Sequence, residues 1–250
     1  MDPASHLASL EADSATFAEL APAHLDRAVP GCPGWDVARL AGHLGAVYSW
    51  AAGAVGSGGA RPERERATPP DGHDELIGWF VSQRQAVLAA LRAQDPGAPA
   101  WVFLPSSPQT VAWWLRRQAM ETAIHLYDLQ SAAGMAPSIS AQLAADGIDE
   151  LLTEMVPGRL ARNPVSSLSG SFHIHCTDSP RDAGTPGEWM LEFASGGVEV
   201  RREHAKGDTA ARGPAAGLYL WLWNRMDPQT AGIEVLGDTS LVDAWRQVNL

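Results

Sequence analysis

Glu121 and His125 stand four residues apart in the stretch Arg116-Arg117-Gln118-Ala119-Met120-Glu121-Thr122-Ala123-Ile124-His125-Leu126-Tyr127-Asp128. On a helix that spacing sets a carboxylate and an imidazole one above the other on the same face. Two such donors aimed at one point are two ligands of a divalent metal site. Chance produces E-x3-H pairs in long helices, so the chemistry depends on a third donor, and His43 is the candidate. Two histidines and one carboxylate suit zinc and leave a fourth position for water, substrate or thiolate. The same set could hold iron or nickel. The chain has a single E-x3-H, which argues against a dinuclear carboxylate site. Spacing alone leaves the competing reading open, that these are inward polar residues satisfying one another.

The elements that must position these residues are legible. His43 falls within the run Val37, Leu40, Leu44, Val47, Ala51 and Ala54, the clearest amphipathic helix pattern in the chain, and it points inward. The turn Pro30-Gly31-Cys32-Pro33-Gly34-Trp35 precedes this helix, and Asp36 is its N-cap. A first helix is expected over 4–21 and a third from Asp74 to Arg92, with Leu76, Phe80, Val87 and Leu91 on one face. The fourth, carrying Trp114, Glu121 and His125, is expected to start at the pair Ser107-Pro108 and to end near Gly134. Four such helices predict an antiparallel bundle with an interior site. The connections 56–72 and 95–108 are rich in Gly and Pro, and the second carries Trp101-Val102-Phe103-Leu104.

A further helix over 140–156 leads to Pro157-Gly158, and the pattern changes near 160. Phe172, Ile174 and Cys176 alternate with Ser171, His173 and His175, the period of a half-buried strand. Two strands, Glu188–Phe193 and Val198–Arg202, are expected to form a hairpin turning at Gly196-Gly197. An apolar helix over 214–226, a strand at 233–236 and a helix from Ser240 complete the chain. Helices followed by strands imply two domains, an α-helical one over 1–158 and an α+β one over 159–250.

Of 250 residues, 45% are hydrophobic, enough for a sizeable core, and the net charge of -11 argues against nucleic acid or an anionic membrane as partner. No apolar run approaches the roughly 18 residues of a membrane span. The N-terminus lacks the pattern of a signal peptide, and two cysteines make no disulfide framework. The expectation is a cytoplasmic, soluble monomer acting on a small molecule. Lys206 is the only lysine among 18 basic residues, a composition that fits a GC-rich genome.

Cys32-Pro33-Gly34-Trp35-Asp36-Val37, followed by Leu40 and His43-Leu44, resembles the opening motif of the mycothiol-dependent maleylpyruvate isomerase family. Glu121-x3-His125-x2-Asp128 resembles its second motif. Leu220-Trp221-Leu222-Trp223-Asn224-Arg225, with Gly237-Asp238 further on, resembles its C-terminal domain. The resemblance implies a DinB-like four-helix bundle, then a small α+β domain similar to sterol-carrier-protein folds. It also implies an actinobacterial source, zinc on His43, Glu121 and His125, and mycothiol as thiol cosubstrate. The zinc-bound thiolate would attack an electrophilic small molecule, as an isomerase or an S-transferase, in a pocket at the seam between domains. Arg225 matches an arginine that would hold a carboxylate of substrate or cofactor; the competing reading is a surface cation near a helix C-terminus. Asp128 either orients a ligand imidazole or is a solvated partner of Arg117.

Two other classes stay open: a DinB-like hydrolase, lyase or cyclase that works without mycothiol, and a non-catalytic binding protein with a structural metal. Cys32 reads as a buried structural thiol rather than a nucleophile, since no base adjoins it in sequence. His173-x-His175 reads as solvent- or pocket-facing rather than as a second metal pair, since no third ligand lies nearby in sequence.

Overall fold

The computed structural model of the protein describes residues 1–62, 66–178, 187–194 and 197–248. By their contacts the residues divide into two units, Asp2–Ser138 and Ile139–Leu250 with Met1.

The first unit is built on four helices, α1 (Pro3–Leu20), α2 (Val37–Gly56), α3 (His73–Arg92) and α4 (Val111–Ala132). Asp36 caps α2 as expected, its carboxylate accepting from the Arg39 N–H at 2.7 Å. Helix α4 starts later than Ser107-Pro108. Its first N–H groups are satisfied by the preceding loop, Val111 donating to the Ala98 carbonyl and Ala112 to that of Pro96, so no side-chain cap is needed. It ends where expected: Gly134 takes a φ of 74° and Met135 N–H closes the end on the Gln130 carbonyl.

Helix directions follow from which residues meet. Along α2 and α4, His43 faces His125 and Trp50 faces Trp114, so the two run antiparallel. Along α1 and α3, Glu11 meets Arg92 and Phe17 meets Phe80, again antiparallel. Helices α2 and α3 instead run in the same sense, with Gly42 beside Leu76 and Gly45 beside Trp79. Parallel neighbours need a connection that travels the bundle's length, which accounts for the long 56–72 segment; of it, residues 63–65 lie outside the described residues. A Cβ on Gly45 would lie 2.3 Å from the Trp79 ring, so glycine here is what lets the indole seat against α2. Leu10, Phe17, Leu40, Leu44, Tyr48, Phe80 and Trp114 fill the interior without exposure.

The second unit holds α5 (Ala141–Glu150), a π-helical turn (Leu151–Met155), α6 (Val156–Arg162), α7 (Ala215–Leu222) and α8 (Ser240–Trp245). Its five-stranded sheet runs in the order β3-β2-β1-β4-β5, from β1 (Gly170–Cys176), β2 (Glu188–Ala194), β3 (Gly197–Arg201), β4 (Thr209–Gly213) and β5 (Glu234–Gly237). Strands β1 and β4 are parallel and the other pairs antiparallel. Phe172 of β1 meets Trp221 of α7 at 5.9 Å between rings, which places α7 on the apolar sheet face. The hairpin β2–β3 is present; the expected turn residue Gly196 lies outside the described residues.

Three expectations are corrected here. The boundary between units falls at 138/139 rather than 158/159, because α5 packs with the sheet unit: its Asp149 accepts from Trp189 Nε1 at 2.9 Å and from Arg202 Nε at 2.6 Å. The helical segment does not stop at Pro157-Gly158: the chain passes into α6 through the π-helical turn Leu151–Met155, where Val156 N–H bonds the Leu151 carbonyl, and Pro157 follows directly. Helix α7 ends at Leu222 rather than 226, where Asn224 adopts a φ of 57° and Arg225 N–H returns to the Leu220 carbonyl.

Candidate functional site

Helices α2 and α4 bring His43, Glu121 and His125 together. Glu121 Oε1 lies 3.1 Å from His43 Nε2 and 3.4 Å from His125 Nε2, and the donor atoms of all three lie within 4.8 Å of one another. A tetrahedral zinc with bonds of about 2.1 Å spaces its ligands roughly 3.4 Å apart. The three donors are therefore within a small adjustment of a coordination face.

The surrounding groups aim these donors. His125 Nδ1 bonds Asp128 Oδ2 at 3.0 Å, which leaves Nε2 turned toward Glu121. This is the carboxylate–histidine arrangement that fixes ligand orientation around metals. Asp128 is fully buried, so the solvated reading of it does not hold. Cys32 Sγ donates to the same Asp128 Oδ2 at 3.5 Å, which ties the turn before α2 to the end of α4. Arg117 Nη2 holds the other oxygen of Glu121 at 2.7 Å, leaving Oε1 to the imidazoles. The Trp35 ring lies tilted against that of His43 at 5.1 Å between centroids, and the Arg39 guanidinium is 4.9 Å from the indole's centroid.

Charge at the site is strongly biased. Burial pushes the Glu121 carboxyl up, but hydrogen bonds from His125 and His43 and the charge of Arg117 outweigh it and hold it well below the usual carboxylate range. Burial pushes His125 down, but Asp128 and Glu121 prevail and raise it to about 9. The donor set, its spacing and the outer Asp128 fit a divalent zinc-type ion.

Seven residues from His43 and from Glu121, so roughly 10 Å along each helix, stand Trp50 and Trp114. Trp50 lines a cleft of about 340 Å³ with Arg61, Pro62, Arg66 and Trp101. Two guanidiniums lie over its indoles, Arg66 at 4.9 Å from Trp50 and Arg61 at 5.9 Å from Trp101. Gln118, on the stripe Trp114-Gln118-Glu121-His125, is fully buried, and neither of its amide atoms has a partner among the described residues. A bound ligand or water would satisfy it.

A family model described as the mycothiol maleylpyruvate isomerase N-terminal domain matches residues 7–130, and one described as the MDMPI C-terminal domain matches residues 142–244. The chain belongs to the mycothiol maleylpyruvate isomerase family. Among curated proteins nothing matches it. Two crystal structures share the fold of this family member at low identity. One is of the mycothiol-dependent maleylpyruvate isomerase, with TM-score 0.58, 11% identity and coverage of 94% of this chain and 93% of that one. The other, of a histidine-to-alanine mutant, matches with TM-score 0.62, 10% identity and coverage of 94% and 93%. Both likenesses concern the fold, a helical unit followed by an α+β unit.

The remaining candidates of this family member belong to the second unit. Arg225 lies just beyond α7 in the second unit, where its Nη1 donates to the Trp223 carbonyl at 2.9 Å. His173 and His175 lie on β1, and Glu188 and His204 join them from other segments, which no local spacing links to the pair. Gln118 was also missed. A lone glutamine on a helix carries no signal, and only its burial without a partner marks it. Among the described residues no helix is long and apolar enough to cross a membrane.

Proposed function

We propose that the chain is a mycothiol-using isomerase or S-transferase that holds zinc on His43, Glu121 and His125 and acts on an electrophilic small molecule. The observation that carries this reading is the three-donor cluster, backed by Asp128 and set in a chain of this family. Zinc and mycothiol together would supply a stabilised thiolate nucleophile, since a coordinating thiol loses its proton readily. The chain's own residues orient and neutralise. Asp128 fixes His125 Nδ1 so that Nε2 faces the ion, and Arg117 keeps Glu121 turned the same way. Three protein donors leave one position open, whereas structural zinc is normally closed by four; this favours catalysis over a purely structural metal. Arg225 is the proposed anchor for an anionic group of substrate or cofactor, since a guanidinium holds a carboxylate in bidentate fashion. Cys32 and Cys176 are both thiols rather than disulfide partners, which suits a reducing cytoplasm.

The test is a calorimetric titration of zinc-loaded and metal-stripped protein with mycothiol. Saturable binding with proton release is expected only with zinc, and Arg225→Ala should weaken it. A fully zinc-loaded protein that takes up no mycothiol would shift the reading to a thiol-independent metalloenzyme.

Metal binding should also depend on pH. A metal needs the lone pair on His125 Nε2, yet the metal-free protein holds that imidazole protonated up to about 9. Apparent zinc affinity is therefore expected to rise about tenfold per pH unit from 7 toward 9 and then level off with respect to this group. The raised value also means that the imidazolium stabilises the metal-free fold fully below the unfolded value near 6.5, and that this contribution is lost as pH rises through about 9. Competition titrations with a chelator of known pH dependence, beside melts of stripped protein, read both effects. An affinity flat over this range would contradict the assignment of His125 as ligand.

Asp128→Asn should lower zinc affinity by about 10–100-fold, the usual effect of an outer partner. Unchanged affinity would reduce Asp128 to a packing residue.

A further inference from the structure

Strand β1 places Phe172, Ile174 and Cys176 on the apolar face and His173 and His175 on the other. The antiparallel register sets Glu188 of β2 opposite His175, and Met190 opposite His173. The chain beyond β3 then carries His204 over the same face. That segment lies close against β1: a Cβ on Gly207 would sit 3.1 Å from both His173 N and Ser171 O. One carboxylate becomes the hub of three imidazoles. Glu188 Oε2 is 3.0 Å from His173 Nε2 and 3.8 Å from His175 Nδ1, and it hydrogen-bonds His204 Nδ1. The rings lie 5.3 Å apart for His173 and His204, 5.9 Å for His173 and His175, and 6.3 Å for His175 and His204.

Two nearby cations are engaged elsewhere. Arg201, on β3 opposite Met190, is bound by Glu192, Glu199 and Glu203. Arg212, opposite His175 on β4, pairs with Glu234 at 3.5 Å. All three imidazoles approach a single carboxylate oxygen, Oε2, which has two lone pairs to offer. Burial lowers the pKa of His173, which favours its neutral form. Burial raises Glu188, but the His204 hydrogen bond and the surrounding imidazoles outweigh it and keep the carboxyl ionised.

We propose that His173, Glu188 and His204 form a second metal site, with His175 as a fourth donor, for a divalent ion of the nickel, copper and zinc group. The donor atoms of the first three lie within 4.8 Å of one another, and imidazole-rich sets of this kind suit those ions. The bound ion ties the segment after β3 to β1 and β2, joining residues some 30 positions apart in sequence into one local clamp. The site lies within the second unit and shares no residue with the cluster on α2 and α4.

The test counts zinc by equilibrium dialysis and mass spectrometry in wild type, His204→Ala, His125→Ala and the double variant. The His204 side chain is 77% exposed, so its removal leaves packing intact. The expected stoichiometries are two, one, one and zero. Hydrogen exchange over 202–208 should slow on zinc addition in wild type and in His125→Ala, but not in His204→Ala. A His204→Ala protein that keeps the wild-type zinc count, or whose 202–208 segment responds to zinc as the wild type does, overturns the proposal. Failure of the α2–α4 cluster appears separately, as a count unchanged by His125→Ala.

Discussion

His125→Ala is expected to bind one zinc equivalent fewer than the unaltered chain and to lose mycothiol binding in the calorimetric titration. The loss of zinc affinity should far exceed the ~10–100-fold of an outer partner, because a direct ligand is removed. His125 is more than one donor among three. Its Nδ1 is the contact to buried Asp128 and its Nε2 is 3.4 Å from Glu121 Oε1, so the alanine variant disturbs both the first donors and their support. Loss of a buried hydrogen-bond partner costs about 1–3 kcal/mol, and a drop in melting temperature of metal-free protein is expected as well. His125→Gln serves as the control. Its amide can reach part of the same polar surroundings but is a poor metal ligand, so zinc should be lost with a smaller drop in stability. An alanine variant that still binds zinc and mycothiol like the unaltered chain would falsify the centre.

The largest effect on stability is expected from Gly217→Ala in α7. A Cβ there would lie 2.1 Å from the Ala231 carbonyl oxygen and 3.1 Å from its carbon. These are backbone atoms, and no rotamer change relieves them. Alanine in a helix normally gains about 1 kcal/mol over glycine, but overpacking a tight contact costs about 1–3 kcal/mol or more, and here the helix must shift off the 231 segment. A net destabilisation of about 2 kcal/mol, or several degrees in melting temperature, is expected in the second unit. Gly78→Ala in α3 is the matched comparison. Its Cβ would meet nothing within 4 Å, so that variant should be slightly more stable than the unaltered chain. Thermal unfolding of both variants checks the pair, and equal shifts would remove the close approach as the reason for glycine at 217.

Much of this architecture was legible because local rules bear directly on it. Four long segments with helical periodicity became α1 to α4, the Asp36 cap formed, and Gly134 closed α4, since each depends on neighbours within a turn. The start of α4 was misplaced because its N–H groups are satisfied by the carbonyls of Pro96 and Ala98, a loop contact that capping rules do not see. Strand β4, Thr209–Gly213, was missed altogether. Its small residues have weak strand preference, and only pairing with β1 and β5 makes it a strand. Helix α5 was assigned to the wrong unit because membership depends on what a helix packs against, and its periodicity says only that one face is apolar.

The two clusters divide along the same line. Residue type and spacing along the chain determined that Glu121 and His125 share a helix face and that His43 points inward, because helical geometry is set within a few residues. The C-P-G-W-D and E-x3-H motifs, kept in order, carried the family. Tertiary structure decided the rest. It brought α2 against α4 so that His43 reaches Glu121, buried Asp128 where it orients His125, and left Gln118 without a partner among the described residues. It also gathered Glu188 and His204 around His173 and His175, through strand register and a return of the chain after β3. No spacing rule connects residues 173 and 204, because the distance between them is set by how the sheet folds back on itself and by nothing local to either.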